Sequence, residues 1–130
     1  MALREQLLTL EEGFWNGTMD PEYYQEHMAD EGIAVFGEPA GVMNKEQAVA
    51  ETRRTDGPMW SNARLEDAKV TQLASGVVAL TYKGTALRGG EPYSAYCSSV
   101  YVDHGGTWKL ALHQQSVPMQ VPAAAASQRM

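Results

Sequence analysis

The last third of the chain alternates apolar and polar residues on either side of glycine-rich turns, which is typical of neighbouring antiparallel strands. With a three-residue turn at 104–106, Val102 pairs with Trp108 and Tyr96 pairs with Gln114. Because alternate residues of a strand share a face, one face of this hairpin is apolar near the turn and polar further along. Such a face predicts the wall of a pocket with a dry end and a hydrogen-bonding end.

The opposite face of the same hairpin holds small and mixed residues, among them His113. Ser98 is assigned to the pocket face, and a shift of one residue in strand pairing would turn His113 inward instead. The preceding strand, 77–87, introduces a conflict. Counted from its glycine turn, Lys83 lies beside Tyr96 on the pocket face. Since lysine is almost never fully buried, a bulge is expected to correct this register.

The N-terminal half has the period of helices rather than strands. Leu3, Leu7, Leu10 and Phe14 form one apolar stripe, and Glu11 falls among the polar residues of the opposite side. Helix caps and a short apolar run between glycines mark the elements that follow. The predicted elements are a helix to about Asn16, a helix from an Asp20 cap through Met28, a strand over 32–37, and a helix from an Asn44 cap to about Arg54.

Length and charge narrow the function classes. A chain of 130 residues allows one domain, expected over 1–118 with a flexible tail over 119–130. A net charge of −6 with scattered acids argues against nucleic-acid binding.

No apolar run is long enough to span a bilayer, and the charged N-terminus does not resemble a signal peptide. Cys97 is the single cysteine, which excludes an internal disulfide. A cytoplasmic protein is expected.

Two segments carry a resemblance to a known family. The entry FWNGTMDPEYYQEHMADEGIAVFG and the ending SSVYVDHGGTWKLALHQQSVP resemble the nuclear-transport-factor-2-like superfamily, and the SnoaL-like group of unknown-function (cystatin-like) domains within it. The resemblance implies an α+β fold in which three N-terminal helices pack in the concave face of a strongly curved antiparallel or mixed sheet, a cone-shaped half-barrel. It also implies a pocket and a homodimer formed through the sheets.

An aromatic and thioether set can wall such a pocket, together with a few polar groups. Apolar walls with a few placed polar side chains are typical of small-molecule sites. For any single member, ordinary core packing is the simpler interpretation, so the grouping carries the hypothesis. The expected ligand-binding residues are Trp15, Tyr24, Met28, Phe36, Trp60, Tyr82, Tyr96, Ser98 and Gln114.

Catalytic candidates are few, and the catalytic residues stay undetermined. Asp67 lies on the first long strand, while the other aspartates fall at predicted turns or caps. His113 lies on the last strand, where an interface role competes with catalysis, and Tyr96 is the candidate hydrogen-bond donor. Ser98 lacks a nucleophile elbow. No two histidines have the spacing of a metal pair, so neither a metal nor a cofactor is expected.

Two functions from different classes remain open. The first is a binding module, a homodimer whose cone holds a small, mostly hydrophobic molecule. The second is a small cofactor-independent lyase or isomerase, similar to polyketide cyclases or ketosteroid isomerase, with a histidine or aspartate base and tyrosine donors. The superfamily contains enzymes and proteins without known activity, so the fold does not decide between them. A buried, perturbed carboxylate or histidine in the cavity would favour the enzyme.

Overall fold

The protein folds as three helices packed against one six-stranded mixed sheet. The structure is a computed structural model that describes residues 2–16, 20–37, 40–54 and 60–117. The predicted tail over 119–130 lies outside the described residues. The elements are α1 (Leu3–Asn16), α2 (Pro21–His27), β1 (Met28–Val35), β2 (Val42–Asn44), α3 (Lys45–Arg54), β3 (Trp60–Ala74), β4 (Val77–Arg88), β5 (Glu91–His104) and β6 (Thr107–Ser116).

The sheet has the strand order β2-β1-β6-β5-β4-β3 and is not closed into a barrel. Its pairs are antiparallel except β1 with β6, which run parallel. The core lies between α1 and the sheet, where Leu7, Leu80 and Tyr101 are fully buried. The predicted α+β fold class is confirmed. No helix in the described ranges is long and apolar enough to cross a membrane.

Helix α1 lies across the sheet and is held at both ends. Arg4 near its start donates a hydrogen bond to the carbonyl of Ala68 in β3 (2.8 Å). Trp15 at its end is buried against β4, where Gly84 allows a close approach. A Cβ on Gly84 would lie only 2.7 Å from the Trp15 ring. One prediction for this helix was wrong. Glu11 does not face solvent with the other polar residues, because it is 1% exposed and points into the core.

The other two helices begin at the predicted caps. Asp20 accepts a hydrogen bond from the backbone of Glu22 at the start of α2. Asn44 and Gln47 bond reciprocally at the start of α3, as in a capping box. Helix α2 ends one residue earlier than predicted, and Met28 opens a strand that is longer at its start than the predicted 32–37.

The hairpin of β4 and β5 contradicts the expected bulge. Its pairing runs unbroken from Val77 opposite Val102 to the Gly89-Gly90 turn, and Lys83 does lie opposite Tyr96. No correction is needed, because this pair lies on the outer face of the sheet, where Tyr96 is 61% exposed. The prediction was wrong about which face is covered by the helices.

The hairpin of β5 and β6 shows why the face was misjudged. The turn has two residues, Gly105-Gly106, both with positive φ, so His104 pairs with Thr107 and the pairing moves by one residue. Further along, Tyr101 pairs with Leu110 but Val100 pairs with Leu112, which leaves Ala111 unpaired in a bulge. A bulge reverses the alternation of one strand relative to its partner. Leu110 and His113 therefore both face the helices.

Candidate functional site

A cavity of about 250 Å³ lies between the helices and the covered face of the sheet. Its walls are mostly apolar, and a few polar and charged side chains reach it from α1, α3 and strands β4, β5 and β6. The lining residues are Glu11, Phe14, Trp15, Tyr24, Ala34, Phe36, Gly37, Ala40, Met43, Ala48, Glu51, Thr52, Trp60, Arg88, Tyr93, Leu110, His113, Gln115 and Val117.

Glu11 is the centre of the polar groups at the inner wall. Its carboxylate accepts hydrogen bonds from the hydroxyls of Tyr101 (2.6 Å) and Ser99 (2.7 Å), and from the hydroxyl of Tyr82. His113 Nδ1 lies 3.3 Å from Glu11 Oε2. A carboxylate with three hydroxyl donors and an imidazole beside it is stabilised in its ionised form, even though burial opposes charge. Glu11 is therefore a buried anion.

His113 supplies the balancing positive charge. Its Nδ1 lies 2.7 Å from Ser99 Oγ, and because that hydroxyl donates to Glu11, Nδ1 is the donor to Ser99. Burial alone would lower the pKa of His113, but the hydrogen bond and charge of Glu11, with the bond to Gln115, raise it above the ordinary 6.5. Burial would likewise raise the pKa of Glu11, but His113 and the two tyrosines hold it below 4.5. The two groups form a buried ion pair.

The polar chain continues from His113 towards the rest of the cavity. His113 Nε2 donates to Gln115 Oε1 (2.8 Å), and the amide nitrogen of Gln115 donates to the hydroxyl of Tyr93 (2.7 Å). The bonds run both ways from His113, inward through Ser99 to Glu11 and outward through Gln115 to the Tyr93 oxygen, which accepts. Burial raises the pKa of Tyr93, so its hydroxyl keeps the proton. Among the described residues, the hydroxyl of Tyr93 accepts this bond and donates none.

An aromatic cluster lies around the Tyr93 end of the chain. Trp60 packs against Tyr93 with ring centres 4.5 Å apart and against Trp15 at 4.9 Å. Arg88 pairs with Trp60 across β3 and β4, and its guanidinium carbon lies 5.2 Å from the centre of the Trp60 ring. Cation–π contact and strand pairing thus hold a cation beside Tyr93.

The structure divides the predicted ligand-binding residues into three groups. Four line the cavity, namely Trp15, Tyr24, Phe36 and Trp60. Two are buried in the adjoining core, Met28 and Tyr82, and Tyr82 also receives a hydrogen bond from Trp15 (2.9 Å). Three lie on the uncovered face of the sheet, away from the cavity: Tyr96, Ser98 and Gln114. Their assignment to the pocket face was wrong, because it used the register without the two-residue turn and the bulge.

The catalytic candidates are separated in the same way. His113, predicted to face away from the pocket, lines the cavity. Asp67 is exposed at an irregularity of β3 where its φ is 55°, and Tyr96 is exposed on the outer face. The sequence reasoning missed Glu11 and Gln115. An acid placed three positions from both Leu8 and Phe14 on a helix was the available signal for Glu11.

The inner wall can bind and move protons. A carboxylate beside an imidazolium is the arrangement in which a histidine is oriented and kept charged for acid–base chemistry. It does not amount to a metal site, since no group of three or more His, Cys, Asp or Glu side chains that could hold a metal ion occurs within the described ranges. Cys97 is buried, and burial raises its pKa to about 12, which leaves its thiol unreactive.

Comparison with known proteins identifies the fold through structure alone. No protein-family model matches the chain, and no curated protein matches it. A candidate ketosteroid isomerase from Parabacteroides distasonis is similar over 93% of this chain and 92% of its own, with a TM-score of 0.77 and 18% identity. An NTF2-like protein from Cytophaga hutchinsonii is similar over 91% of this chain and 100% of its own, with a TM-score of 0.75 and 15% identity.

A third similar structure is the CamKII hub homology domain of Chlamydomonas reinhardtii, with a TM-score of 0.73 and 11% identity over 91% of this chain and 100% of that one. At these identities the similarity concerns the fold and does not extend to activity. The protein therefore has the nuclear-transport-factor-2-like fold that the sequence resemblance implies.

Proposed function

We propose that the protein binds a small, mostly apolar molecule in the cavity between its helices and its sheet. The observation that carries this proposal is a cavity of about 250 Å³ with aromatic walls and one polar side. That volume is equivalent to about eight water molecules in the liquid. It suits a molecule with one ring and a short substituent. The Glu11–His113 pair and Gln115 form the polar side and would orient the molecule's polar group.

A matched pair of alanines on α3 tests this proposal. Ala48 lines the cavity and is buried, whereas Ala50 on the same helix is exposed. In a nuclear magnetic resonance titration with toluene, the indole signals of Trp15 and Trp60 should shift in the native protein and in Ala50→Leu. In Ala48→Leu the added side chain would fill the cavity, so the shifts should disappear. Equal binding by both variants would show that toluene binds elsewhere and would contradict the proposal.

A second candidate function is acid–base catalysis, either a lyase or an isomerase reaction. The Glu11–His113 pair favours it, because a buried carboxylate and histidine in a cavity are candidates for proton transfer. His113 would exchange a proton with the bound molecule through Nε2 after its bond to Gln115 opens. Glu11 already accepts from three hydroxyls, so it would keep the imidazole charged and oriented rather than act as the base itself.

Proton exchange at carbon tests the catalytic candidate without a known substrate. Cyclohexanone in deuterated water would lose its α-protons faster in the presence of the native protein than in buffer. His113→Gln should remove that acceleration, while His104→Gln, at a largely exposed histidine of the last turn, should leave it unchanged. Exchange no faster than in buffer for cyclohexanone would count against catalysis and leave the binding function in place.

We also propose that the uncovered face of the sheet is covered by a second copy of the chain. The support is a set of exposed apolar side chains there, including Tyr96 and Leu112, and the hub homology domain among the similar structures. Tyr96→Glu should lower the mass measured by sedimentation equilibrium from two chains to one. Glu12→Lys at an exposed position of α1, on the helix side of the sheet, should not change that mass. A native protein that sediments as a single chain would contradict this proposal.

A further inference from the structure

We infer that the ligand of the cavity is a small apolar monocarboxylate whose carboxylate binds between Tyr93 and Arg88. The inference rests on the proposed binding function and names the chemical class of the molecule. It follows from the direction of the hydrogen bonds that lead away from Glu11 and from the position of the one arginine that lines the cavity among the described residues.

The donor and acceptor roles along this series of hydrogen bonds are set at Glu11. Glu11 is an acceptor only, so the hydroxyl of Ser99 must donate to it and His113 must donate to Ser99. The other nitrogen of His113 meets the carbonyl oxygen of the Gln115 amide, which leaves the amide nitrogen as the donor to Tyr93. Both nitrogens of the charged imidazole beside Glu11 donate, and the amide oxygen of Gln115 faces the ring, so the direction of each later bond is set. The Tyr93 oxygen is thus an acceptor within the chain, and its own proton points out of it.

The hydroxyl of Tyr93 is half-buried and donates to no described residue, so its proton favours an acceptor on the ligand. Leaving a desolvated donor unpaired is unfavourable, so the cavity favours a molecule that places an oxygen lone pair at Tyr93. An ammonium group, which only donates, would leave this donor unpaired. The polar end of the cavity therefore favours an acceptor oxygen, such as that of a carbonyl or carboxylate, whereas the groups at the inner wall are already satisfied within the protein.

Arg88 selects a carboxylate over a neutral carbonyl. Its guanidinium lies over Trp60, whose ring contacts Tyr93, so the cation and the free hydroxyl border the same part of the cavity. A guanidinium presents two parallel donors that match a planar carboxylate. The ion pair of Glu11 and His113 adds no net charge at the inner wall. Arg88 is the one arginine among the described cavity-lining residues, and a single guanidinium favours a molecule with a single negative charge.

Four compounds with the same ring test the preference for a carboxylate separately from the binding function. Toluene, benzamide, benzylamine and benzoate share a phenyl ring and differ only in the substituent. Titrations followed by the indole signals of Trp15 and Trp60 should give the tightest binding for benzoate, at least about tenfold tighter than benzamide, because hydrogen bonds to charged groups are the stronger ones. Benzylamine should bind most weakly.

Two variants with matched controls locate the carboxylate. Tyr93→Phe removes the donor and keeps the ring, and Arg88→Gln removes the cation. Each should weaken benzoate binding about tenfold and leave toluene binding within about twofold. The controls are Tyr96→Phe on the outer face and Arg64→Gln at an exposed position of β3, which should leave both affinities unchanged.

The possible failures are distinguishable. Toluene binding that Ala48→Leu abolishes, combined with equal affinities for benzoate and benzamide, would overturn the carboxylate class and keep the binding function. Benzoate binding that Tyr93→Phe and Arg88→Gln leave unchanged would overturn the location of the carboxylate. If none of the four compounds shifts the Trp15 or Trp60 signals, the binding function and this inference are both wrong.

Discussion

The two faces of strand β5 carry nearly the same kinds of side chain, yet they have opposite environments. The covered face has Ser99 and Tyr101, both fully buried, and the uncovered face has Ser98 and the exposed Tyr96. The difference is Glu11, whose carboxylate accepts from both hydroxyls of the covered face. A polar strand face can therefore form the core when one buried charge accepts its hydrogen bonds. Residue type alone does not identify the inner face.

The largest expected effect comes from removing the charge on which the covered face depends. Glu11→Ala leaves His113 without its counter-charge and three hydroxyls without their acceptor, and we expect a loss of about 3–5 kcal/mol in the free energy of unfolding. Glu12→Ala, at the exposed neighbour on the same helix, should change stability by less than about 0.5 kcal/mol. Urea denaturation of both variants measures the difference, and similar midpoints would contradict the central role of Glu11.

The dependence of stability on pH should also distinguish the buried Glu11–His113 pair from ionisable groups at the surface. The pKa of Glu11 is lowered from 4.5, so its stabilisation is present above about pH 4.5 and is lost as the pH falls through its folded pKa. The pKa of His113 is raised from 6.5, so its stabilisation is complete below about pH 6.5 and is lost as the pH rises through its folded pKa.

The pair therefore stabilises the fold most between those two values. Urea midpoints measured across this range should form a maximum that is absent in the double variant Glu11→Gln/His113→Gln. His104→Gln, which removes a surface histidine 3.2 Å from Glu31, should retain the maximum. A native profile that keeps rising above pH 6.5 through the alkaline range would show that His113 is neutral in the folded protein.

Loss of a tyrosine hydroxyl from β5 should have a smaller effect on stability, and the effect should differ between the two faces. Tyr101→Phe removes a donor to a buried carboxylate, for which we expect a loss of about 1.5–3 kcal/mol. Tyr96→Phe removes an exposed hydroxyl and should cost less than about 0.5 kcal/mol. Thermal and urea unfolding of the two variants check this. Equal losses would mean that the hydroxyl of Tyr101 is as well satisfied by water as that of Tyr96.

The adjacent serines Ser99 and Ser98, on opposite faces of β5, should show the smallest difference in stability. Ser99→Ala removes one donor to Glu11 and one acceptor of His113, and we expect a loss of about 1–2 kcal/mol. Among the described residues, the hydroxyl of Ser98 bonds only to Gln114, at 3.3 Å on the uncovered face, so the stability of Ser98→Ala should fall within about 0.5 kcal/mol of that of the native protein. A larger loss for Ser98→Ala would show that the uncovered face is structured by a partner.

Patterns within a few residues of each other predicted the helices and their ends, whereas the polar part of the site depends on contacts between residues far apart in the sequence. The caps at Asp20 and Asn44 and the ends of α1 and α3 follow from side chains within a few residues of each other, which the sequence shows directly. The aromatic residues that wall the cavity, such as Trp15 and Trp60, were found because large apolar side chains are generally buried.

The polar part of the site depends on information that no short segment contains. Glu11 is one acid among several on α1, and only the strands packed against it show that three hydroxyls and an imidazole surround it. The orientation of His113 depends on the number of turn residues and on an unpaired Ala111. A strand register that shifts by one residue exchanges the two faces, so a small local error reversed the whole assignment.

The bulge at Ala111 has a consequence for how this cavity changes during evolution. Because the bulge accommodates one extra residue, deleting Ala111 would make Tyr101–Leu110 and Val100–Leu112 consecutive regular pairs, and His113 and Gln115 would still face the cavity. Keeping Ala111 but pairing it regularly would instead turn His113 and Gln115 outward and present Gln114 to the cavity. One codon lost at this position would therefore leave the polar groups available to a ligand unchanged, and in alignments of similar proteins a gap there would mark a neutral difference in strand length rather than a change in cavity chemistry.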